Sequence, residues 1–404
     1  MKRLILILVV FLSVTMIAQQ TESSRMKEQP GPVAGPLDVA SSIGDLVDAS
    51  LTSNANGTSP SVSEAWPDPL PPQTSKATQA QKTKEPSRPP IEGSMVGYID
   101  NPIVGSQIRI RFDAAFDDQF PDRSEFFYAK CGCSRFLTKQ FFPNPPSTNV
   151  YRAFDPHAPG PGPGVPNFIN FQQLYMNVEY SPHRRFSAFV EVPIRWLQPQ
   201  GFKELPPFSG FSNQSGLSDV QAGFKFAAVT SEGTYLTFQF KSYFPSGHAL
   251  QGLGTHHYSV EPSLLLYHSL SERWTLEGQI GDWHPIGGSA GVSTTPSTIS
   301  EGFAGDVFFY GIGPSFKLYQ RNHVGLAPVV ELFGWHVLSG FQTQPGGPVD
   351  GAASEVSGMN IVNLKVGVRT SIGFRNSFYV GFGQALTHDD WYKHIVRLEY
   401  RYSF

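Results

Sequence analysis

The sequence predicts an all-β protein: a transmembrane, antiparallel, up-and-down β-barrel of about 12 strands that follows a disordered N-terminal tail. Three observations support this fold class. Apolar and polar residues alternate with a period of two from residue 98 to the end of the chain. Tight turns alternate with long connections between the predicted strands. The chain begins with a segment that is typical of an export signal.

The last predicted strand runs from Trp391 to Phe404 and has the most regular alternation. Its charged residues lie on one side, and the chain ends on an aromatic residue, as bacterial outer-membrane barrels do. This ending resembles the signal that the barrel-assembly machinery recognises, and Tyr400, Tyr402 and Phe404 would carry it. The other side of the strand is almost wholly apolar and consists of Tyr392, His394, Val396, Leu398, Tyr400, Tyr402 and Phe404.

The N-terminus indicates an exported protein. Lys2 and Arg3 precede an apolar stretch that continues to about Ala18. A positively charged start followed by a short apolar stretch is typical of a secretory signal peptide, to which we assign residues 1–18. No later segment has the long uncharged run that a transmembrane helix requires, so we expect membrane insertion by strands.

The next part of the chain has the composition of a disordered segment. Residues 19–97 are rich in Pro, Ser, Thr, Ala and Gln and poor in aromatic residues. Such a segment cannot bury enough apolar surface to offset the conformational entropy that folding removes. We therefore predict a disordered periplasmic segment at 19–97 and the barrel at 98–404. The net charge of −3 does not favour a nucleic-acid partner, and we expect no cofactor.

Tight turns and long connections alternate along the predicted barrel, and the longest connection is 117–167. Membrane barrels have short turns on the periplasmic side and long loops outside. We therefore expect the barrel in the bacterial outer membrane, in contact with lipid and lipopolysaccharide, and both the tail and the C-terminus in the periplasm. The tight turns are predicted at 181–184, 230–233, 269–272, 319–322 and 373–376.

The charged side of the predicted strands is expected to face the lumen. On the lipid side near the middle of the bilayer, an Arg or Lys would cost roughly 2–4 kcal/mol. Two roles remain open for the inward charges: they set ion preference and solute orientation in a pore, or they fill a closed lumen with compensating ion pairs. The candidates are Arg109, Arg111, Asp113, Glu179, Glu191, Arg195, Lys225, Lys241, Glu261, Glu277, Lys317, Glu331, Lys365, Arg369, Arg397 and Glu399.

The longest outer connection contains both cysteines of the chain. Cys131 and Cys133 are two residues apart, so in an oxidising compartment they could form a strained disulfide or bind a metal as thiolates. A pair alone does not complete a zinc site, which normally has four ligands. We therefore favour a structural role for the loop, and expect it to fold into the barrel mouth as a gate.

A group of strand and turn patterns resembles a transporter-like barrel family that is named for the MetA pathway of phenol degradation. Residues 216–226 resemble its "G-L-G-D" strand, although Ser218 replaces the second glycine of that pattern. The resemblance covers residues 168–404, and it implies an outer-membrane channel or transporter for small or hydrophobic compounds. The other matching patterns are Pro245-Ser246-Gly247, Gly252-Leu253-Gly254-Thr255, Glu261-Pro262, and Trp274-Thr275-Leu276 with Gly278 and Gly281.

The sequence is compatible with more than one function. The first is passage of small solutes, including hydrophobic or aromatic ones, through a charge-lined lumen. The second is a closed barrel with a structural or adhesive role, whose outer loops bind a surface partner. A lipid hydrolase is less favoured, because the G-x-S-x-G spelling around Ser289 lies in a loop rather than on the strand-to-helix turn that this motif needs. A soluble β-sandwich would leave the export signal and the loop alternation unexplained.

Overall fold

The computed structural model describes the barrel and the residues that immediately precede it. The described residues are 94–119, 160–161, 166–202, 210–231, 233–286, 292–295, 298–301, 304–321, 323–343 and 353–404. The predicted signal peptide and most of the predicted tail lie outside these ranges, and both remain predictions.

Eighteen β-strands form in the described residues, and their positions follow the period-two pattern of the sequence. The first nine are β1 (Gln107–Asp118), β2 (Pro166–His183), β3 (Phe186–Phe202), β4 (Gln214–Leu217), β5 (Val220–Ser231), β6 (Thr234–Phe244), β7 (Tyr258–Ser269), β8 (Trp274–Ile286) and β9 (Val292–Thr295). The others are β10 (Thr298–Glu301), β11 (Val307–Phe316), β12 (Tyr319–Arg321), β13 (Val324–Val337), β14 (Phe341–Thr343), β15 (Ala353–Glu355), β16 (Asn360–Ile372), β17 (Asn376–Ala385) and β18 (His394–Ser403).

Twelve long strands form one closed antiparallel barrel. They are joined in the order β1, β2, β3, β5, β6, β7, β8, β11, β13, β16, β17 and β18. The barrel closes where β18 pairs with β1, with Tyr400 opposite Ile110. Closure leaves no open edge among these strands, as a structure surrounded by lipid requires. The predicted fold class and strand number are confirmed.

The remaining strands are short additions to this barrel. β4 pairs with β3, and β12 pairs with β13. The β9–β10 and β14–β15 pairs are separate two-stranded sheets in two of the long connections. The helical element of the described residues is a single 3₁₀ turn at Ala249–Gln251. No helix in the described part of the chain has the length and apolarity needed to cross a membrane.

The outer surface of the barrel carries the apolar side of each strand. Val178, Ile280 and Val380 are each about half exposed to the surroundings of the isolated chain, while their neighbours in sequence Glu179, Gln279 and Tyr379 are buried. Such a surface is stable only in contact with lipid, because it would expose a continuous apolar band to water. One residue of the last strand departs from the predicted pattern. Tyr392 precedes β18 and is buried inside the barrel rather than facing outward, because β18 begins only at His394.

Both described ends of the barrel lie at the end with the short turns. β1 starts and β18 finishes there, and the Phe404 amide donates to the Ser106 carbonyl at 3.1 Å. The opposite end carries the long connections. This arrangement agrees in geometry with the predicted alternation, whereas the compartment that each end faces remains a prediction.

The residues before β1 fold inside the barrel. Ser94 to Ser106, which we call the lumen segment, are buried except for Asp100, which is partly buried. The domain boundary at 97 remains a prediction, and residues 94–97 of the predicted tail are buried inside the barrel. The reason is local, since Met95, Val96, Tyr98 and Ile99 give this stretch an apolar character that the preceding tail lacks.

Candidate functional site

The lumen segment enters and leaves the barrel at the short-turn end. Its middle lies near the centre of the lumen, where the side chains of Asp100 and Gln239 form a 2.8 Å hydrogen bond. Its second half returns along β6, whose Thr237 hydroxyl donates to the Pro102 carbonyl at 2.6 Å. Ile103 then packs against Tyr235 and Tyr267 before β1 begins. The segment thus forms a loop that fills the short-turn half of the lumen.

Two buried glutamates bind the backbone amides of the lumen segment. Glu331 on β13 accepts hydrogen bonds from the amides of Gly97, Tyr98 and Ile99 at 2.8–2.9 Å. Glu277 on β8 accepts one from Met95 at 2.7 Å. A carboxylate that accepts several N–H groups is satisfied without a cation beside it. These two inward charges therefore replace the β-sheet partners that the segment lacks.

Two buried arginines bind the backbone carbonyls of the same stretch. Arg369 on β16 donates to the Met95 carbonyl at 2.8 Å and to the Val96 carbonyl at 2.6 Å. Arg397 on β18 donates to the Gly97 carbonyl at 2.6 Å and makes two 2.7 Å hydrogen bonds with the carboxylate of Asp113. The rigid fork of the guanidinium allows each arginine to hold the segment and a barrel side chain at once.

One acidic side chain of the lumen segment is itself bound by cations. The Asp100 carboxylate lies 2.7 Å from the Lys241 ammonium and 3.9 Å from the Arg109 guanidinium. Its backbone amide donates to the side chain of Gln279 at 2.8 Å. The segment is therefore fixed through both its backbone and this side chain.

The interior wall is shaped to receive the lumen segment. The inward positions Gly311 and Gly313 on β11 carry no side chain where Val96 and Ile99 approach. A Cβ atom added at Gly313 would lie 2.7 Å from Val96 Cγ1 and 3.2 Å from Ile99 Cδ1. On the other side of the segment, a Cβ atom on Gly97 would clash with the ring of Tyr379. These glycines are explained by close approach of the chain.

The predicted inward charges all lie on the interior side or at the short-turn end, and they fall into three groups. The first group contacts the lumen segment and consists of Arg109, Lys241, Glu277, Glu331, Arg369 and Arg397. The second group bonds to other interior side chains and consists of Arg111, Asp113, Glu179, Glu191, Arg195, Lys225, Glu261 and Glu399. The third group is Lys317, at the short-turn end after β11, and Lys365, which faces a cavity.

That cavity occupies the half of the lumen that the segment leaves open. The volume of the cavity itself is about 100 Å³, and about 990 Å³ when the open space at its mouth is included; Tyr98 and Asp100 of the lumen segment line it. It extends towards the end with the long connections, where Trp335 and Tyr392 line it. The other aromatic side chains that line it are Phe171, Tyr175, Phe189, Phe309 and Phe333.

Lys365 on β16 differs from the other cations of the cavity. Its ammonium lies 4.1 Å from the ring centroid of Tyr98, 4.7 Å from that of Phe333 and 5.2 Å from that of Trp335. Within the described residues, no carboxylate lies within the 4.0 Å that defines an ion pair with it. Glu331 is directly opposite Lys365 in the β13–β16 register, but its oxygens are occupied by the lumen segment.

Three of the motifs that resemble the phenol-degradation family, at 216–219, 245–247 and 252–255, meet at one place near the long connections. The Asp219 carboxylate accepts hydrogen bonds from the Gly247 amide at 3.0 Å and the Thr255 amide at 2.7 Å. The Ser246 hydroxyl bonds to the Ser218 carbonyl at 3.2 Å. Burial raises the pKa of Asp219 although these donors lower it. This cluster has a structural role: its hydrogen bonds hold the connection between β6 and β7 against the residues that join β4 to β5.

Several predicted features fall outside the described residues. These are the pair Cys131 and Cys133, most of the 117–167 loop with its proposed role as a gate, and the motif around Ser289. Each remains a prediction. The described part of the chain contains no group of three His, Cys, Asp or Glu side chains that could hold a metal ion.

The lumen segment is the main functional element that the sequence pattern did not predict. Two signals were present in the sequence. One is the apolar stretch at 95–99 after a polar tail. The other is the pair of glycines at inward positions of β11, Gly311 and Gly313, which leave space that a barrel of this size has to fill.

Comparison with known proteins finds only distant structural likenesses. No family model and no curated protein matches the chain, so membership of the phenol-degradation family stays a prediction. An outer-membrane channel from Pseudomonas putida F1 is 12% identical, with a TM-score of 0.44 over 76% of this chain and 99% of that one. The β-domain of the Bordetella autotransporter BrkA is 13% identical, with a TM-score of 0.41 over 74% and 100%. LpxR from Salmonella typhimurium is 8% identical, with a TM-score of 0.37 over 73% and 100%. This chain is similar to outer-membrane barrels of different functions, and none of these likenesses identifies a substrate.

Proposed function

We propose that this protein is an outer-membrane channel for small solutes, hydrophobic or aromatic ones among them, and that the lumen segment holds it closed. The observation that carries the proposal is the division of the lumen. A cavity of about 100 Å³ opens towards the long connections, and the lumen segment fills the other half. A purely structural barrel would be expected to have a filled lumen, without a cavity next to the lumen segment.

The mechanism follows from how the segment is held. Its contacts are hydrogen bonds and ion pairs to inward charges such as Glu331 and Arg369, together with a few apolar contacts. Water can replace these polar contacts when the segment leaves, because the wall that is exposed is itself polar. The lumen would then be a charge-lined passage from the cavity to the short-turn end, in which these charges set ion preference.

The competing function is a closed structural or adhesive barrel. In that case the same polar contacts would be a permanent core, and the long connections would bind a surface partner. The two functions differ in one measurable property, which is whether removal of the lumen segment produces an ion-conducting passage.

The test is single-channel conductance in a planar bilayer. A variant that lacks residues 94–104 should give steady, ion-selective conductance steps that are larger than those of the full chain, because the segment no longer blocks the lumen. The matched control lacks residues 81–91, a deletion of equal length upstream of the segment, and should conduct like the full chain. Silence of the 94–104 deletion, with a folded barrel shown by its heat-dependent gel mobility, would favour the closed barrel.

The longest outer loop is tested in the same way. A variant that lacks residues 123–163 should also raise conductance if that loop gates the outer mouth. Unchanged conductance would remove the loop as a gate without affecting the role proposed for the lumen segment.

A further inference from the structure

We infer that the cavity binds a small aromatic carboxylate, whose carboxylate group pairs with Lys365 and whose ring packs between the aromatic side chains of the wall. This inference rests on the proposed channel function and specifies its solute. It depends on three properties of the cavity: its charge balance, the position of Lys365, and the type of side chain around that lysine.

Among the described residues that line the cavity, one basic side chain has no carboxylate within ion-pair distance. Six cationic and five acidic side chains line it. Every one of the five acids pairs with one or more of five cations: Arg109 and Arg111 with Glu191, Lys225 with Glu179, Lys241 with Glu261 and Asp100, and Arg397 with Asp113. The sixth cation is Lys365. A single negative charge in the ligand would complete the pairing, which favours a monoanion over a dianion.

The position of Lys365 favours a ligand over a surrounding solvent shell. The side chain is only 3% exposed, and it lines the cavity. A buried ammonium is costly unless it is paired, and contacts with ring faces recover only part of that cost. The barrel acid nearest to it in register, Glu331, is occupied by the amides of Gly97, Tyr98 and Ile99. An anion in the cavity would supply the missing partner.

The surrounding side chains favour an aromatic body for this anion. The ammonium lies over the rings of Tyr98, Phe333 and Trp335, so a carboxylate bound to it lies beside aromatic surfaces. Aromatic rings pack against each other in offset or edge-to-face arrangements. A flat ring attached directly to the carboxylate would therefore make both contacts at once, which acetate cannot do.

The experiment uses the full chain folded in detergent micelles and isothermal titration with benzoate. Benzoate should bind, whereas its neutral analogue benzamide and the ring-free anion acetate should each bind about tenfold more weakly or worse. Lys365→Met should lower the affinity for benzoate by about tenfold or more, and Lys365→Arg should keep it within about threefold. The matched control is Lys317→Met, which removes the same charge outside the cavity and should leave the affinity unchanged.

Three results would overturn the inference: no binding of benzoate by the full chain, equal binding of benzamide, or unchanged benzoate affinity in Lys365→Met. If Lys365→Met does not fold, the benzamide comparison and Lys365→Arg decide the question. The conductance test is separate. Conductance without benzoate binding would refute the solute alone, and benzoate binding without conductance would refute the channel and leave a binding site in a closed barrel.

Discussion

Glu331 and Lys365 show that the hydrogen bonds of one inward side chain can leave its neighbour without an ion-pair partner. The two residues are opposite each other on neighbouring strands, where opposite charges commonly pair. Instead, Glu331 accepts three backbone amides and the hydroxyl of Tyr379, at 3.1 Å. The lumen segment thus uses the acid that would otherwise neutralise Lys365. The position of the lumen segment and the absence of an ion pair between Glu331 and Lys365 therefore both follow from the three hydrogen bonds that Glu331 accepts from these amides.

Glu331→Gln should loosen the lumen segment. The neutral amide has one carbonyl oxygen in place of two charged ones, and hydrogen bonds to a charged group contribute about 1.5–3 kcal/mol. A loss of ~2 kcal/mol corresponds to ~30-fold faster opening of the segment relative to closing. Hydrogen exchange followed by mass spectrometry should show this acceleration at the amides of Gly97, Tyr98 and Ile99.

The control for this variant is Glu179→Gln. Glu179 is equally buried, but its partners are Lys225 at 3.0 Å, Gln107 and Ser187, none of which belongs to the lumen segment. Exchange at the three amides should be unchanged in this variant. If Glu331→Gln also left it unchanged, Glu331 would not be what retains the segment.

At the level of elements, β11 provides the surface on which the lumen segment rests. Its outward positions carry large residues such as Phe308 and Ile312, while the inward positions 311 and 313 are glycines. The outward side chains at these positions are therefore larger than the inward ones. A strand with this pattern leaves a shallow groove in the wall, and the apolar residues of the segment occupy it.

Gly313→Val should displace the lumen segment while the barrel stays folded. The added side chain would overlap Val96 and Ile99, and overpacking of this kind costs typically about 1–3 kcal/mol. Chymotrypsin should then cleave after Tyr98 faster than in the unmodified chain. The control is Gly278→Val on β8. A Cβ atom added there would lie 3.3 Å from the Gly311 carbonyl oxygen and would not approach the lumen segment. Equal cleavage rates in the two variants would contradict the role of the groove.

The sequence predicted strands better than it predicted what fills the barrel. Period-two alternation reports the two sides of a strand directly, so Val178 and Glu179 could be assigned to opposite sides from the pattern alone. The partners of the inward charges could not be assigned in this way. Arg369 bonds to Val96, which is 273 positions away, and Arg397 to Gly97, which is 300 positions away. No local pattern carries that information.

At the scale of the whole molecule, the first and last strands close the barrel. β1 and β18 are paired along ten positions, from Gln107 opposite Ser403 to Phe116 opposite His394. The aromatic residues Tyr400, Tyr402 and Phe404 lie on the outward side of this seam, and the rings of Tyr402 and Phe404 stack at 6.4 Å. Their place at the seam fits the predicted role as an assembly signal, because the last strand has to be guided to the first.

Phe404→Ser should reduce assembly more than it reduces stability. The residue is about half exposed and makes few contacts, so its loss removes little packing. We expect severalfold less folded barrel in the outer-membrane fraction of a bacterial host, measured by heat-dependent gel mobility. Phe374→Ser is the matched control, since Phe374 is an exposed aromatic residue in the turn between β16 and β17. An equal loss in both variants would indicate a general cost of removing exposed aromatic residues.

The position of the lumen segment also has a consequence for the order of folding. Its polar partners lie on β8, β13, β16 and β18, so the surface that receives it is incomplete until nearly the whole chain has been paired. Contacts between distant parts of a chain form late, because a long loop has to close first. The segment is made before every strand and yet docks after them. Until β18 meets β1, the surface that receives the apolar residues Met95, Val96, Tyr98 and Ile99 is incomplete, and these residues have to be kept from aggregating while the rest of the barrel forms.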